Sequence, residues 1–274
     1  MGAVFGSFAA LCIGVSDLFG RRVVNGAHAL TAAAVMQFVA IFTSAATLGL
    51  VDSELRGGDL LLGAFSGLGL GTGLACYYRG LTRSTSTVVA PLVATLSALI
   101  PFTYAAITGS TPTAVALAGA GIAFVGLAVI TIGGRRAEHV KSGLLWGLAS
   151  GIGYGFGLTV IIEASEASGS WPAVTQRIAA FALLTAVASA LTVPIVPPPS
   201  YRVPAVLAGV FAGFSTVSYL LGVQADAPVA VVTASMFPAF SVAIGWLVFH
   251  DSVSRLQVGG IAAVLIGVAG VVAG

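Results

Sequence analysis

The chain has 274 residues, of which 7% are charged and 58% hydrophobic, with a net charge of +2 and a mean hydropathy of +1.06. Soluble domains average roughly 25% charged residues, so this chain cannot cover a soluble surface, and disorder needs the opposite composition. An integral membrane protein remains, and without a Lys/Arg cluster nucleic acid is excluded as a partner.

A helix that crosses a bilayer needs about 20 apolar residues. Such runs occur at 3–22, 28–50, 60–79, 85–108, 113–133, 143–163, 172–194, 203–223, 229–249 and 256–273. The first run has no basic residue before it and is followed by Asp17 and Arg21-Arg22, so it reads as a retained helix rather than a cleaved leader. Asp52, Glu54, Arg56 and Asp59 fill the second connection. The most polar stretch, 135–141, lies near the midpoint. Pro197-Pro198-Pro199 makes a short stiff connection before the eighth run, and His250-Asp251 precedes the last. Cys12 and Cys76 fall inside apolar runs and read as packing residues. A β-barrel would alternate apolar and polar residues over about 10 positions, and these runs do not.

The expected fold is therefore all-α and membrane-embedded, with ten transmembrane helices as two inverted five-helix repeats. The first repeat is 1–134, the second 142–274, and 135–141 connects them. The halves echo each other. Tyr77-Tyr78-Arg79-Gly80-Leu81 leads into the fourth span and Tyr219-Leu220-Leu221-Gly222-Val223 into the ninth. Gly119 and Gly126 in the fifth span match Gly260 and Gly267 in the tenth. Five spans per repeat force the second half to run upside down, a recurring plan of secondary transporters. Gly63, Gly67 and Gly71, and likewise Gly147, Gly151 and Gly155, form ridges that let helix backbones approach closely.

The stretch from Pro238 through Gly245-Trp246 to His250-Asp251 resembles the ninth-span signature of the drug/metabolite transporter superfamily, in particular the EamA-type family. His250 and Asp251 stand where that family has a Gly-Glu pair. Ser254 to Gly260, then Gly267, is similar to the family's polar turn and glycine-ridged last span, and Tyr77-Tyr78 to the aromatic end of its third. Gln176-Arg177 matches an arginine frequent at the start of the seventh span, with Gln37 at the equivalent place in the second. The resemblance covers the whole chain. It implies a multi-pass carrier or exporter of small metabolites or drugs in a bacterial cytoplasmic membrane.

A charge at the centre of a membrane helix costs about 2.5–3.5 kcal/mol on insertion scales, so each is a functional candidate. Arg177 reads either as a cavity cation or as a side chain snorkelling to the interface. Asp17 reads as a proton-titrating carboxylate, as a partner for Arg177, or as a local partner of Arg21. Gln37, Tyr77, Tyr78, Tyr154 and Tyr219 offer donors and aromatic faces to a cavity, with the interfacial aromatic belt as the alternative for the end-of-helix tyrosines. The candidates for substrate binding or coupling are thus Asp17, Gln37, Tyr77, Tyr78, Tyr154, Arg177 and Tyr219.

The single lysine, Lys141, lies in no Gly-Lys-Ser/Thr sequence, so no ATP loop is present and a gradient must supply the energy. The expected function is secondary active transport of a small molecule, probed first with protons as coupling ion. No metal or cofactor is implied. A passive channel or a non-transporting scaffold is the alternative. An embedded enzyme fits less well, since His28, His139 and His250 all sit near span ends. Arg21, Arg22, Arg79, Arg83, Arg135, Arg136, Lys141, Arg202 and Arg255 share one face, which the positive-inside rule puts in the cytoplasm with both termini outside. The family resemblance implies termini inside.

Overall fold

The structure, a computed structural model, describes residues 1–84, 86–109, 112–132, 140–237, 239–240, 247 and 254–273. The α-helices are α1 (Gly2–Val24), α2 (Ala29–Ala46), α3 (Gly57–Arg83), α4 (Ser86–Thr108), α5 (Ala114–Ile132), α6 (Val140–Val160), α7 (Trp171–Ala190), α8 (Pro199–Ala234) and α9 (Arg255–Ala273). No strand occurs among the described residues. Six helices are long and apolar enough to cross a membrane, and α4, α5 and α9 contain shorter apolar helices. The exterior is apolar: Phe42 is 62% exposed, Leu145 65% and Ile266 63%. The interior instead holds small residues, among them Ala9, Ala33, Ala173 and Ala208. That reversal of the soluble pattern is what lipid as solvent demands, because tight contact of small side chains replaces the hydrophobic drive.

Eight of the ten expected spans match described helices closely, the ninth, 229–249, falls mostly outside the described residues, and the boundary between the eighth and ninth differs. The gap expected between 223 and 229 is closed, because α8 runs through it with a single non-helical residue, Asp226 (φ −168°, ψ 95°). The Asp226 carboxylate accepts the Val229 N–H at 3.3 Å and Pro228 follows within the first turn, where its missing N–H costs nothing. Asp226 therefore ends one helix and caps the next without a loop. α1 records the reversal: Ser16 meets Ala208 and Gly6 meets Gly222 on the first arm, while Gly2 meets Asp226 and Gly6 meets Ala230 on the second. The first arm is antiparallel to α1 and the second parallel. Most of the Pro238–Asp251 stretch, and the 135–139 part of the connector, lie outside the described residues.

Two glycine edges hold α3 between α6 and α7. Gly63, Gly67 and Gly71 face Pro172, Gln176 and Ala180 of α7 in parallel. Gly69 and Gly73 face Gly157 and Tyr154 of α6, antiparallel. Gly147, Gly151 and Gly155 ride on Leu92, Leu96 and Ile100 of α4. The pairs spaced seven apart meet each other: a Cβ on Gly119 would lie 2.6 Å from the Gly267 carbonyl oxygen, and one on Gly126 2.8 Å from that of Gly260. On α8, Gly209 and Gly213 pack on α2 against Met36 and Ala40.

These directions sort the charges. The ends of α1, α3 and α7 and the starts of α2 and α8 share one end of the bundle with Arg21, Arg22, Arg79, Arg83 and Arg202. The opposite end carries Asp52, Glu54, Asp59, Glu163, Glu166 and Asp226, with Arg56 paired to Glu54 at 2.8 Å. Its loops are knitted together: Ser168 donates to Asp59 Oδ2 at 2.5 Å, and Thr47 to Ser170 at 2.9 Å. At the basic end, Thr31 donates to the Pro194 carbonyl at 2.5 Å.

Candidate functional site

α7 buries Ala173, Gln176, Arg177, Ala180, Leu184 and Ala188, a stripe at helical spacing. Pro172 sits at its first turn. Because Arg177 lies on that stripe, its side chain turns into the bundle and is 4% exposed. The snorkelling alternative is thereby set aside. Arg177 lies about 9 Å into the helix from Trp171 at the usual rise. Nη1 donates to Gln37 Oε1 of α2 at 2.7 Å. Nη2 donates to the Ala212 carbonyl of α8 at 2.5 Å and to the Thr216 hydroxyl. Nε has no hydrogen-bond partner among the described residues, and no carboxylate there pairs with the guanidinium. The neighbouring Gln176 donates to Ser66 of α3 at 2.5 Å, and Ser66 in turn to the Gly157 carbonyl of α6 at 2.5 Å. Five helices thus meet through two adjacent residues of α7.

A second group lies toward the basic end. Asp17, half-buried on α1, is within electrostatic reach of Arg21, Tyr77, Tyr78 and Tyr154. Arg21 is one turn further along α1 and hydrogen-bonds the Tyr77 side chain. Tyr78 is fully buried, lies against Gly20 and donates to Met36 Sδ at 3.1 Å. The rings of Tyr77 and Tyr78 are 5.7 Å apart. Tyr154 joins the two groups, since it is also within reach of Arg177. Gly73 makes room for it, as a Cβ there would sit 2.8 Å from the Tyr154 ring.

Six of the seven candidates therefore fall into one connected region. Tyr219 does not. It donates to the Leu158 carbonyl at 3.3 Å and packs in a separate cluster with Ile161 and Val223. Tyr219→Phe is expected to cost about 1 kcal/mol, the worth of one such bond, with transport unchanged; thermal unfolding beside a flux assay checks both. Thr216 and the Ala212 carbonyl were not foreseen, and neither was the role of Ser66. The available signal was polarity: Ser215-Thr216 and Ser66 interrupt apolar helices.

A solved crystal structure superposes on 99% of this chain and 98% of its own with a TM-score of 0.80 at 18% identity, which establishes a shared fold. No curated protein matches the chain. The family model described as the EamA-like transporter family matches twice, over residues 1–132 and 141–273. Together the two matches take in nearly all of a multi-pass, all-helical membrane protein. The chain belongs to the EamA-like transporter family.

Proposed function

We propose that the chain is a secondary active transporter that exports small metabolites or drugs by alternating access, its two moving parts being inverted repeats over 1–134 and 142–274. The observation that carries this reading is the Arg177–Gln37 bond at 2.7 Å. It joins α7 to α2, the second helix of each half, so the most costly polar contact of the interior lies where the halves meet. Carriers built from inverted repeats place their sites at that interface.

Helix pairing supports the same reading. α1 packs on α8 as α6 packs on α3, α2 packs on α8 as α7 packs on α3, and α5 packs on α9. Each relation turns into its partner when every helix is exchanged for the one at the matching place in the other half. The exchange also reverses direction, since α3 runs toward the basic end and the first arm of α8 runs away from it. Two similar bundles related this way can trade conformations and open one central site to either end in turn.

Counterflow in proteoliposomes tests the proposal. Saturable uptake of a labelled solute, accelerated by unlabelled solute on the other side, is the expected outcome. Linear flux without acceleration would indicate a channel, and no flux across a broad metabolite and drug panel would indicate a scaffold.

A further inference from the structure

We propose that the Arg177 guanidinium is the anion-binding group of the carrier, and that its substrate is a small organic carboxylate. The inference rests on the transporter reading and names the substrate class of that same site. Its starting point is an unbalanced charge. Arg177 is buried in a membrane-spanning bundle, where a cation is costly unless paired. Its partners are Gln37 Oε1, the Ala212 carbonyl and the Thr216 hydroxyl, all neutral. They satisfy N–H groups but leave the positive charge uncompensated, and no carboxylate pairs with it among the described residues.

A purely structural role explains the contacts and not the charge. A glutamine at 177 would bridge to neutral acceptors without the desolvation of an ion. The guanidinium is a rigid fork that matches a carboxylate with two parallel N–H bonds. Here Nε is free to take one carboxylate oxygen, and the second oxygen would take the adjacent Nη2 in place of Thr216 or the Ala212 carbonyl. Tyr154, half-buried and within reach of Arg177, adds a hydroxyl donor and an aromatic face for the organic body of the substrate.

An independent observation agrees. Arg21, Arg22, Arg79, Arg83 and Arg202 crowd one end, and Asp52, Glu54, Asp59, Glu163, Glu166 and Asp226 the other, where Arg56, paired with Glu54, is the one arginine or lysine among the described residues. A basic mouth raises the local concentration of anions and an acidic one lowers it. An anion is therefore collected at the basic end, held at Arg177 and expelled at the acidic end.

The test is ligand-induced stabilisation of the purified full-length protein, followed by thermal unfolding. The probes are acetate, benzoate and succinate, against acetamide, benzamide and succinamide. At least one carboxylate is expected to stabilise the protein while its amide does not. Arg177→Lys keeps the charge without the fork and is expected to weaken binding about tenfold, and Arg177→Gln about a hundredfold. If Arg177→Gln does not fold, Arg177→Lys carries the comparison against Gly58→Ala, a variant outside the site that is expected to retain carboxylate binding. Stabilisation by amides equal to that by carboxylates, no stabilisation by any carboxylate, or an undiminished response in Arg177→Lys or Arg177→Gln overturns the proposal. Counterflow separates it from the carrier reading. Saturable exchange of neutral or cationic solutes that ignores Arg177→Gln sinks the anion site alone. Carboxylate binding at Arg177 without any saturable flux supports the anion site and sinks the carrier reading.

Discussion

Gly67→Val is expected to lower the melting temperature sharply and to abolish transport in proteoliposomes. α3 is wedged between α6 and α7 by glycine on two edges, and on the α7 edge Gly67 comes closest to the partner backbone. A Cβ there would press on the Gln176 carbonyl oxygen and lie 2.8 Å from the Ala179 Cβ. The obstacle is backbone, which cannot rotate aside as a flexible side chain would. Overpacking of this kind costs about 1–3 kcal/mol where neighbours can yield, so the valine variant is expected at or above that range and Gly67→Ala within it. The damage is local to function too, because the displaced turn carries Gln176 and Arg177. Gly58→Ala is the control. It lies on the same helix with nothing within 4 Å, and alanine there is expected to be neutral or stabilising by about 0.5–1 kcal/mol. Thermal unfolding of the purified variants decides it: a Gly67→Ala protein as stable as Gly58→Ala would mean that α3 and α7 pack loosely.

The helices were legible because a bilayer enforces length and apolarity together, so the boundaries of α1 and α7 fell within a few residues of the hydrophobic runs. The contact faces were partly legible. Gly119, Gly126, Gly260 and Gly267 were matched as repeats, and they pack against one another because equal spacing on antiparallel helices brings equal gaps into register. The hinge of α8 was read as a gap because Asp226 and Pro228 are loop-forming residues in isolation. Here the aspartate caps the following helix, so both residues are absorbed into helix ends. Arg177 was found but its direction was not, since depth alone allows snorkelling. Direction follows from the stripe formed with Ala173, Ala180 and Leu184, and from Ala212 and Thr216, which lie 35 and 39 residues away in sequence. Tyr219 was grouped with Tyr77 on a similar local pattern. Yet α3 and the first arm of α8 run in opposite directions, so matching residues reach opposite ends of the bundle and only Tyr77 meets Asp17.

Asp17→Asn is expected to abolish proton-driven accumulation while leaving counterflow near the wild-type rate. Proton coupling needs a group that gains and loses a proton as the site changes sides, placed where its charge alters a contact that helps to close the site. Among the described residues the other acids, at 52, 54, 59, 163, 166 and 226, lie at the acidic end, in connections or at helix ends. Asp17 is instead on α1, facing Arg21 of its own helix, Tyr77 and Tyr78 of α3 and Tyr154 of α6, with Arg177 of α7 beyond Tyr154. As a carboxylate it attracts Arg21, which holds Tyr77. Once protonated it releases that attraction, and the junction of α1 with α3 at the basic end is freed to part. Asparagine keeps the shape and fixes the uncharged form, so the carrier still exchanges solute but no longer reads the gradient. One pH unit is worth 1.36 kcal/mol and sustains about tenfold accumulation per proton. The ratio with Asn is expected to fall to about one under the same gradient. Unchanged accumulation by Asp17→Asn would remove Asp17 from coupling, and loss of counterflow as well would make it part of the binding site rather than the coupling device. Were both proposals to hold, the two functions would divide between the charges, Arg177 for the substrate and Asp17 for the proton, with Tyr154 within electrostatic reach of each.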